Sequence, residues 1–146
     1  MNRWIVLAAV AFFGVLLRFL RGKPLGLPDR KTRVKILVGR DGTTPVVRRC
    51  PERLVTLPND DIEWEVEFDP GVAGIEVWMR DFKHTVHGAL DPFQGSVADR
   101  KTKASSPKKI KDKVKPKLLV KQGLYKYTVY LNGNPTDDPE IMIKEI

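Results

Sequence analysis

Between Asp61 and Asp69 the chain reads Asp-Ile-Glu-Trp-Glu-Val-Glu-Phe-Asp, a strict alternation of acidic and apolar residues. Successive side chains of a strand point to opposite faces, whereas a helix would scatter this pattern around its axis. The segment is therefore predicted to be a strand. Ile62, Trp64, Val66 and Phe68 face a core, and Asp61, Glu63, Glu65, Glu67 and Asp69 face the other way. The same period recurs along the chain. Thr32–Val38 alternates and ends at the turn signal Gly39-Arg-Asp-Gly42. Val46-Val47 and Leu54–Leu57 are short β candidates. Gly74–Met79 follows the turn Asp69-Pro-Gly71. Lys109–Leu119 and Gly123–Leu131 alternate again, and Ile141–Ile143 closes the chain. About seven short strands separated by Gly, Pro and Asn turns predict one all-β domain, an antiparallel sandwich over residues 32–146. Trp64 and Trp78 are both assigned to its core.

Ahead of that body lies a run without charge, Trp4–Leu17, of 14 residues, or 17 when extended to Leu20. As a helix it spans roughly 21–26 Å, against a hydrocarbon core of ~30 Å. Arg18 can snorkel to one interface and Trp4 suits the other. A cleaved signal peptide is the alternative. The one Ala-x-Ala, Ala9-Val10-Ala11, leaves too little apolar run before it. Residues 1–23 are therefore read as a single-pass transmembrane anchor and 24–31 as a linker, stiffened by Pro24-Leu-Gly-Leu-Pro28. Orientation signals conflict. Arg18, Arg21, Lys23, Arg30, Lys31, Arg33 and Lys35 all follow the anchor, which by the positive-inside rule favours a cytoplasmic domain. Short N-terminal anchors commonly place their domain outside, and the reading leans to the exported side. Cys50, the single cysteine, forms no intramolecular disulfide and carries no compartment signal.

Net charge is +8, unevenly spread. Arg100–Lys121 holds ten basic residues and one acidic residue, Asp112, while the rest of the body beyond residue 25 is net acidic. Within this basic limb Lys109, Lys111, Lys113, Lys115 and Lys117 fall on one face of a predicted strand. Ile110, Val114 and Leu118 fall on the other. Three destinations are open to the lysine row. It can be a solvated edge that blocks aggregation. It can pair with the acidic row, at ~0.2–1 kcal/mol per cross-strand pair. It can dock on an anionic lipid surface or an acidic protein partner. The last makes these five lysines the candidate binding residues. Calcium fits poorly, because carboxylates alternating along a flat strand do not wrap a cation.

Gly123-Leu-Tyr125-Lys-Tyr127-Thr-Val129 is the most specific local pattern, a tyrosine-corner type of strand whose Tyr hydroxyl bonds backbone upstream. With Pro58-Asn-Asp-Asp61-Ile-Glu-Trp64, it resembles the cupredoxin family, the plastocyanin- and azurin-like sandwiches. The resemblance covers residues 32–146 and implies a Greek-key fold. A blue-copper site needs a thiolate, two imidazoles and usually an axial thioether. In this chain the family's Cys position falls on Val129, no histidine follows it, and Met142 stands alone beyond. The resemblance thus implies a cupredoxin-like domain lacking the copper ligands, with no cofactor.

Other chemistry is sparse. His84 and His87 are weak metal candidates, since on a strand they point to opposite faces. Cys50 is a third, and Arg48-Arg49 before it would depress an exposed thiol's pKa. There is no P-loop, GxGxxG, CxxC or HExxH, and no Ser/His/Asp set can be argued from spacing. The chain is read as non-enzymatic. Tyr125 and Tyr127 with the lysine limb could stack on single-stranded nucleic acid, a role the anchor disfavours. The expected function is a non-catalytic, membrane-anchored binding or accessory module with a basic docking limb. The alternative is a metal or redox protein built around His84 and His87.

Overall fold

The computed structural model describes residues 30–103 and 108–145. The expected anchor at 1–23 and nearly all of the linker at 24–31 lie outside the described residues. Among the described residues no helix is long and apolar enough to cross a membrane.

The domain is all-β, as the alternation predicts. Its strands are β1 (Lys31–Asp41), β2 (Thr44–Arg49), β3 (Arg53–Thr56), β4 (Asp61–Phe68), β5 (Glu76–His84), β6 (Gly88–Ala89), β7 (Lys101–Lys103), β8 (Lys108–Lys113), β9 (Gly123–Leu131), β10 (Asn134–Asp137) and β11 (Glu140–Ile143). One sheet has the order β2-β1-β4-β8. The other runs β3-β11-β9-β5-β6, with β7 pairing β5 and β10 pairing β9. The two sheets enclose one core. Val34, Ile36, Val38, Ile62, Trp64, Val66 and Ile110 enter it from the first sheet. Val77, Met79, Phe82, Tyr125, Tyr127, Val129, Leu131, Ile141 and Ile143 enter it from the second. Phe93, in the segment between β6 and β7, joins the layers. Its ring meets Trp64 edge-on at 5.1 Å and Phe82 at 5.3 Å.

Four expectations are corrected. The sandwich is not purely antiparallel: β1–β4 and β3–β11 are parallel pairs. After β2 the chain crosses to the other sheet for β3. It returns at β4 running in the direction of β1, and a hairpin could not produce that order. Trp78 is not a core residue. Ile75, Val77 and Met79 take the inner positions, so the period places Trp78 on the outer face of the second sheet, half-buried. There its indole N–H donates to the Val97 carbonyl at 2.9 Å, and Arg80 and Lys101 lie over its ring. The alternation of Lys109–Leu119 stops at Lys113. Val114 makes one bridge to Phe93, and a turn begins at Pro116, which has no N–H for a ladder. Leu118, expected inside, is 97% exposed.

Strand β5 also slips phase. Asp81 sits at φ 59°, and the register with β9 shifts between Arg80 and Lys83. This bulge moves the inward set from Val77 and Met79 to Phe82 and His84.

Candidate functional site

The acidic and basic rows meet. Strand β4 lies between β1 and β8, and the register sets Glu63 beside Arg33 on one side and Lys111 on the other. The Glu63 side chain is 1% exposed because long cationic stems lie over it. Its carboxylate receives Lys31 Nζ at 2.7 Å, Arg33 Nε at 3.3 Å, Lys109 Nζ at 3.5 Å and Lys111 Nζ at 4.0 Å. The Lys31 ammonium bonded to it, with the nearby Lys109 charge, holds the Glu63 carboxyl below its ordinary value; burial opposes them. Elsewhere on this face Lys35 reaches Glu67 at 3.4 Å and Lys113 stands 4.0 Å from Asp61. Such solvent-exposed pairs contribute ~0–1 kcal/mol each.

The five candidate lysines therefore do not form one row. Lys109 and Lys111 cover Glu63. Lys113 is at the end of β8, against Asp61. Lys115 donates from Nζ to the Asp91 carbonyl at 2.8 Å. Lys117 lies in the turn after Pro116.

Sequence reasoning missed a buried cation, Arg100. Its side chain is 1% exposed. Nε donates to Asp112 Oδ2 at 2.6 Å, one terminal nitrogen donates to the Gly95 carbonyl at 2.8 Å, and the other reaches Asp91 Oδ2 at 2.8 Å. The guanidinium lies over the rings of Phe82 and Phe93 at 4.9 and 5.1 Å. Asp112 also accepts the N–H groups of Gly95 and Lys113 at 2.8 and 2.7 Å. A signal existed: Asp112 interrupts the apolar face of an otherwise basic strand, and a carboxylate at such a position needs a buried cation.

The weak metal candidates are held in other bonds. His84 is buried at the end of β5. Its Nε2 lies 2.7 Å from the Gln122 carbonyl, and its Nδ1 accepts the N–H groups of Val86 and His87 at 3.0 and 3.2 Å. These partners place the ring proton on Nε2 and leave neither nitrogen with a lone pair for a metal. His84 and His87 do not stand on opposite faces. His87 falls beyond β5 in the following turn, so the two rings lie 4.7 Å apart. Gly123, at φ 118°, allows this arrangement; a Cβ there would sit 2.8 Å from His84 Nε2. The tyrosine-corner bond is present, with Tyr125 donating to the Lys121 carbonyl at 2.6 Å. Among the described residues no three His, Cys, Asp or Glu side chains converge as a metal-binding set.

Cys50 departs from expectation. Arg48 turns away to Asp41 and Asp69, at 2.6 and 3.3 Å, instead of reaching the thiol. Burial, and then the charge of Asp137, push the Cys50 pKa from 9.0 up to about 12. Tyr127, bonded to this thiol, is itself pushed well above the ordinary tyrosine range, chiefly by burial. A raised folded-state value means that the protonated thiol stabilises the fold below the ordinary pKa near 9, and that this contribution is lost as pH rises toward 12. At pH 8 a disulfide reagent is expected to react with native Cys50 on the order of 10³-fold more slowly than with the denatured chain. A rate within about tenfold of the denatured chain would refute this.

No family model matches the chain, and no curated protein matches it. Among solved structures it is similar to a chain of a heme-copper terminal oxidase dimer, at 9% identity and a TM-score of 0.42, covering 97% of this chain and 95% of that one. It is also similar to reduced rusticyanin, at 16% identity and a TM-score of 0.39, covering 84% of this chain and 88% of that one.

Proposed function

We propose that the chain is a non-catalytic, membrane-anchored binding module. In this reading a cupredoxin-like Greek-key sandwich without copper ligands is held at a membrane by Trp4–Leu17 and docks through its cationic segment on an anionic surface. The observation that carries the reading is the charge balance around β4. One buried carboxylate, Glu63, takes contacts from four cations. The cations of β1 and β8 outnumber the acids of β4, and Lys115, Lys117 and Lys121 continue the excess beyond the sheet. Val129, at the position of the family's copper cysteine, is fully buried core. The metal or redox alternative would require His84 to give up its bonds to Gln122, Val86 and His87.

Lys109 and Lys111 cover Glu63, so substituting them perturbs the fold as well as any docking. Lys115 is likewise bonded to the Asp91 carbonyl, so the informative variant is Lys117→Gln/Lys121→Gln. Full-length protein would be cross-linked in native membranes and purified in mild detergent. A stoichiometric protein or anionic-lipid adduct that falls severalfold in this variant is the expected result. Equal recovery of adducts from variant and wild type, or none from either, would overturn docking through this segment.

A further inference from the structure

Four large apolar residues are exposed among the described residues, and three of them lie at one end of the sandwich. Strand pairing defines that end. Lys31 pairs Asp61, and Asp61 pairs Lys113, so β1 and β4 begin where β8 finishes. In the other sheet Ile143 pairs Gly123 and Thr56, and His84 pairs Tyr125. Strands β3, β5 and β11 therefore end where β9 begins. The short loop from Thr56 to Asp61 joins the two sets. Arg30, the turn after β5 and the turn between β8 and β9 thus share one end, here the proximal end.

At this end Leu118 is 97% exposed, Leu119 73% and Val86 79%. The two leucines are not on a slack loop. Val114 and Val120 on either side are buried at 0% and 7% exposure. The N–H groups of Leu119 and Val120 bond the Pro116 carbonyl at 2.8 and 3.1 Å. Lys115 is tied to the Asp91 carbonyl and Tyr125 to the Lys121 carbonyl. A braced turn that holds two adjacent leucines in water, flanked by Lys115, Lys117 and Lys121, has the composition of an interfacial membrane contact: an apolar tip with a basic rim. The opposite, distal end also carries cations, Arg40, Lys103 and Lys108 beside the Arg48 that Asp41 and Asp69 match, but among the described residues it holds no exposed leucine pair.

The position of the chain selects the occupant. Arg30 reaches this end, and the apolar run Trp4–Leu17 lies only a dozen residues upstream in the sequence. The distal end is farther by the length of β1, 11 residues or about 36 Å. We infer that the proximal end faces the membrane that holds the anchor, with Leu118 and Leu119 entering the headgroup region and Lys115, Lys117 and Lys121 over anionic lipid. This rests on the anchored reading above and specifies its surface as lipid.

The test is depth measurement on the full chain in phosphatidylglycerol–phosphatidylcholine nanodiscs. Leu118→Cys, and separately Asn132→Cys at the distal end, would carry a fluorophore and be quenched by spin-labelled lipid. Cys50 stays in place, and wild type taken through the same labelling gives the background. Quenching at 118 severalfold above that at 132, reduced by Lys117→Gln/Lys121→Gln and in discs of phosphatidylcholine alone, is the expected result. A chain that incorporates into discs while position 118 is quenched no more than 132 overturns the inference and leaves the anchor intact. A chain that does not incorporate overturns the anchored reading and the inference with it. A tip that is shielded in native membranes but not quenched in discs is covered by a protein, which also overturns the lipid assignment.

Discussion

Replacing Arg100 with methionine is expected to destabilise the domain by about 3–5 kcal/mol. The aliphatic replacement fills much of the volume over Phe82 and Phe93, so the loss is mainly electrostatic. Asp112, 5% exposed, would lose its bonded guanidinium and keep only two backbone N–H donors. The Gly95 carbonyl and Asp91 would each lose a partner too. Removing one member of a buried pair is costly because it strands the other. Equilibrium urea unfolding measures this, with Lys101→Met as the exposed neighbour expected to change stability by under ~0.5 kcal/mol. An Arg100→Met loss below ~1 kcal/mol would show that Asp112 is neutralised in some other way.

Phe93→Ala should cost a similar amount, about 3–5 kcal/mol. The ring is 1% exposed and touches both sheets, through Trp64 on one side and Phe82 on the other. Its removal leaves a cavity between layers that the β-ladders hold apart, so collapse around the void is restricted. Because Arg100 lies over this ring, the two substitutions should not add. The double variant is expected to fall short of the sum by at least ~0.5 kcal/mol. Strict additivity would mean that the guanidinium–ring contact contributes nothing.

Much of the fold was legible because it is written at short range. The period of Asp61–Phe68 assigned Ile62, Trp64 and Val66 to the core and the acids to the other face, and the structure agrees. The tyrosine-corner pattern placed the Tyr125 bond. Trp78, expected on the apolar face of its strand, lies on the other one, because the two-residue period gives the inner positions to Ile75, Val77 and Met79. Leu118 is outside because the ladder ends at Lys113, before Pro116, so the alternation beyond it no longer selects a face.

The candidate site was less legible. Nothing local to Cys50 says that Arg48 turns away to Asp41 and Asp69, or that Asp137 comes beside the thiol. His84 is committed by Gln122, 38 residues on, together with its own turn.

From its sequence alone this chain was bound to form strands with one acidic, one basic and several apolar faces, since a two-residue period is a property of neighbours. Tertiary structure decided what each face meets. Only the parallel return of β4 between β1 and β8 converts separate charged rows into a carboxylate covered by four cations. Only the placement of β7 in one sheet and β8 in the other brings Arg100 to Asp112. Pairing energies depend on contacts between residues distant in the chain, and no local period encodes which distant strand arrives.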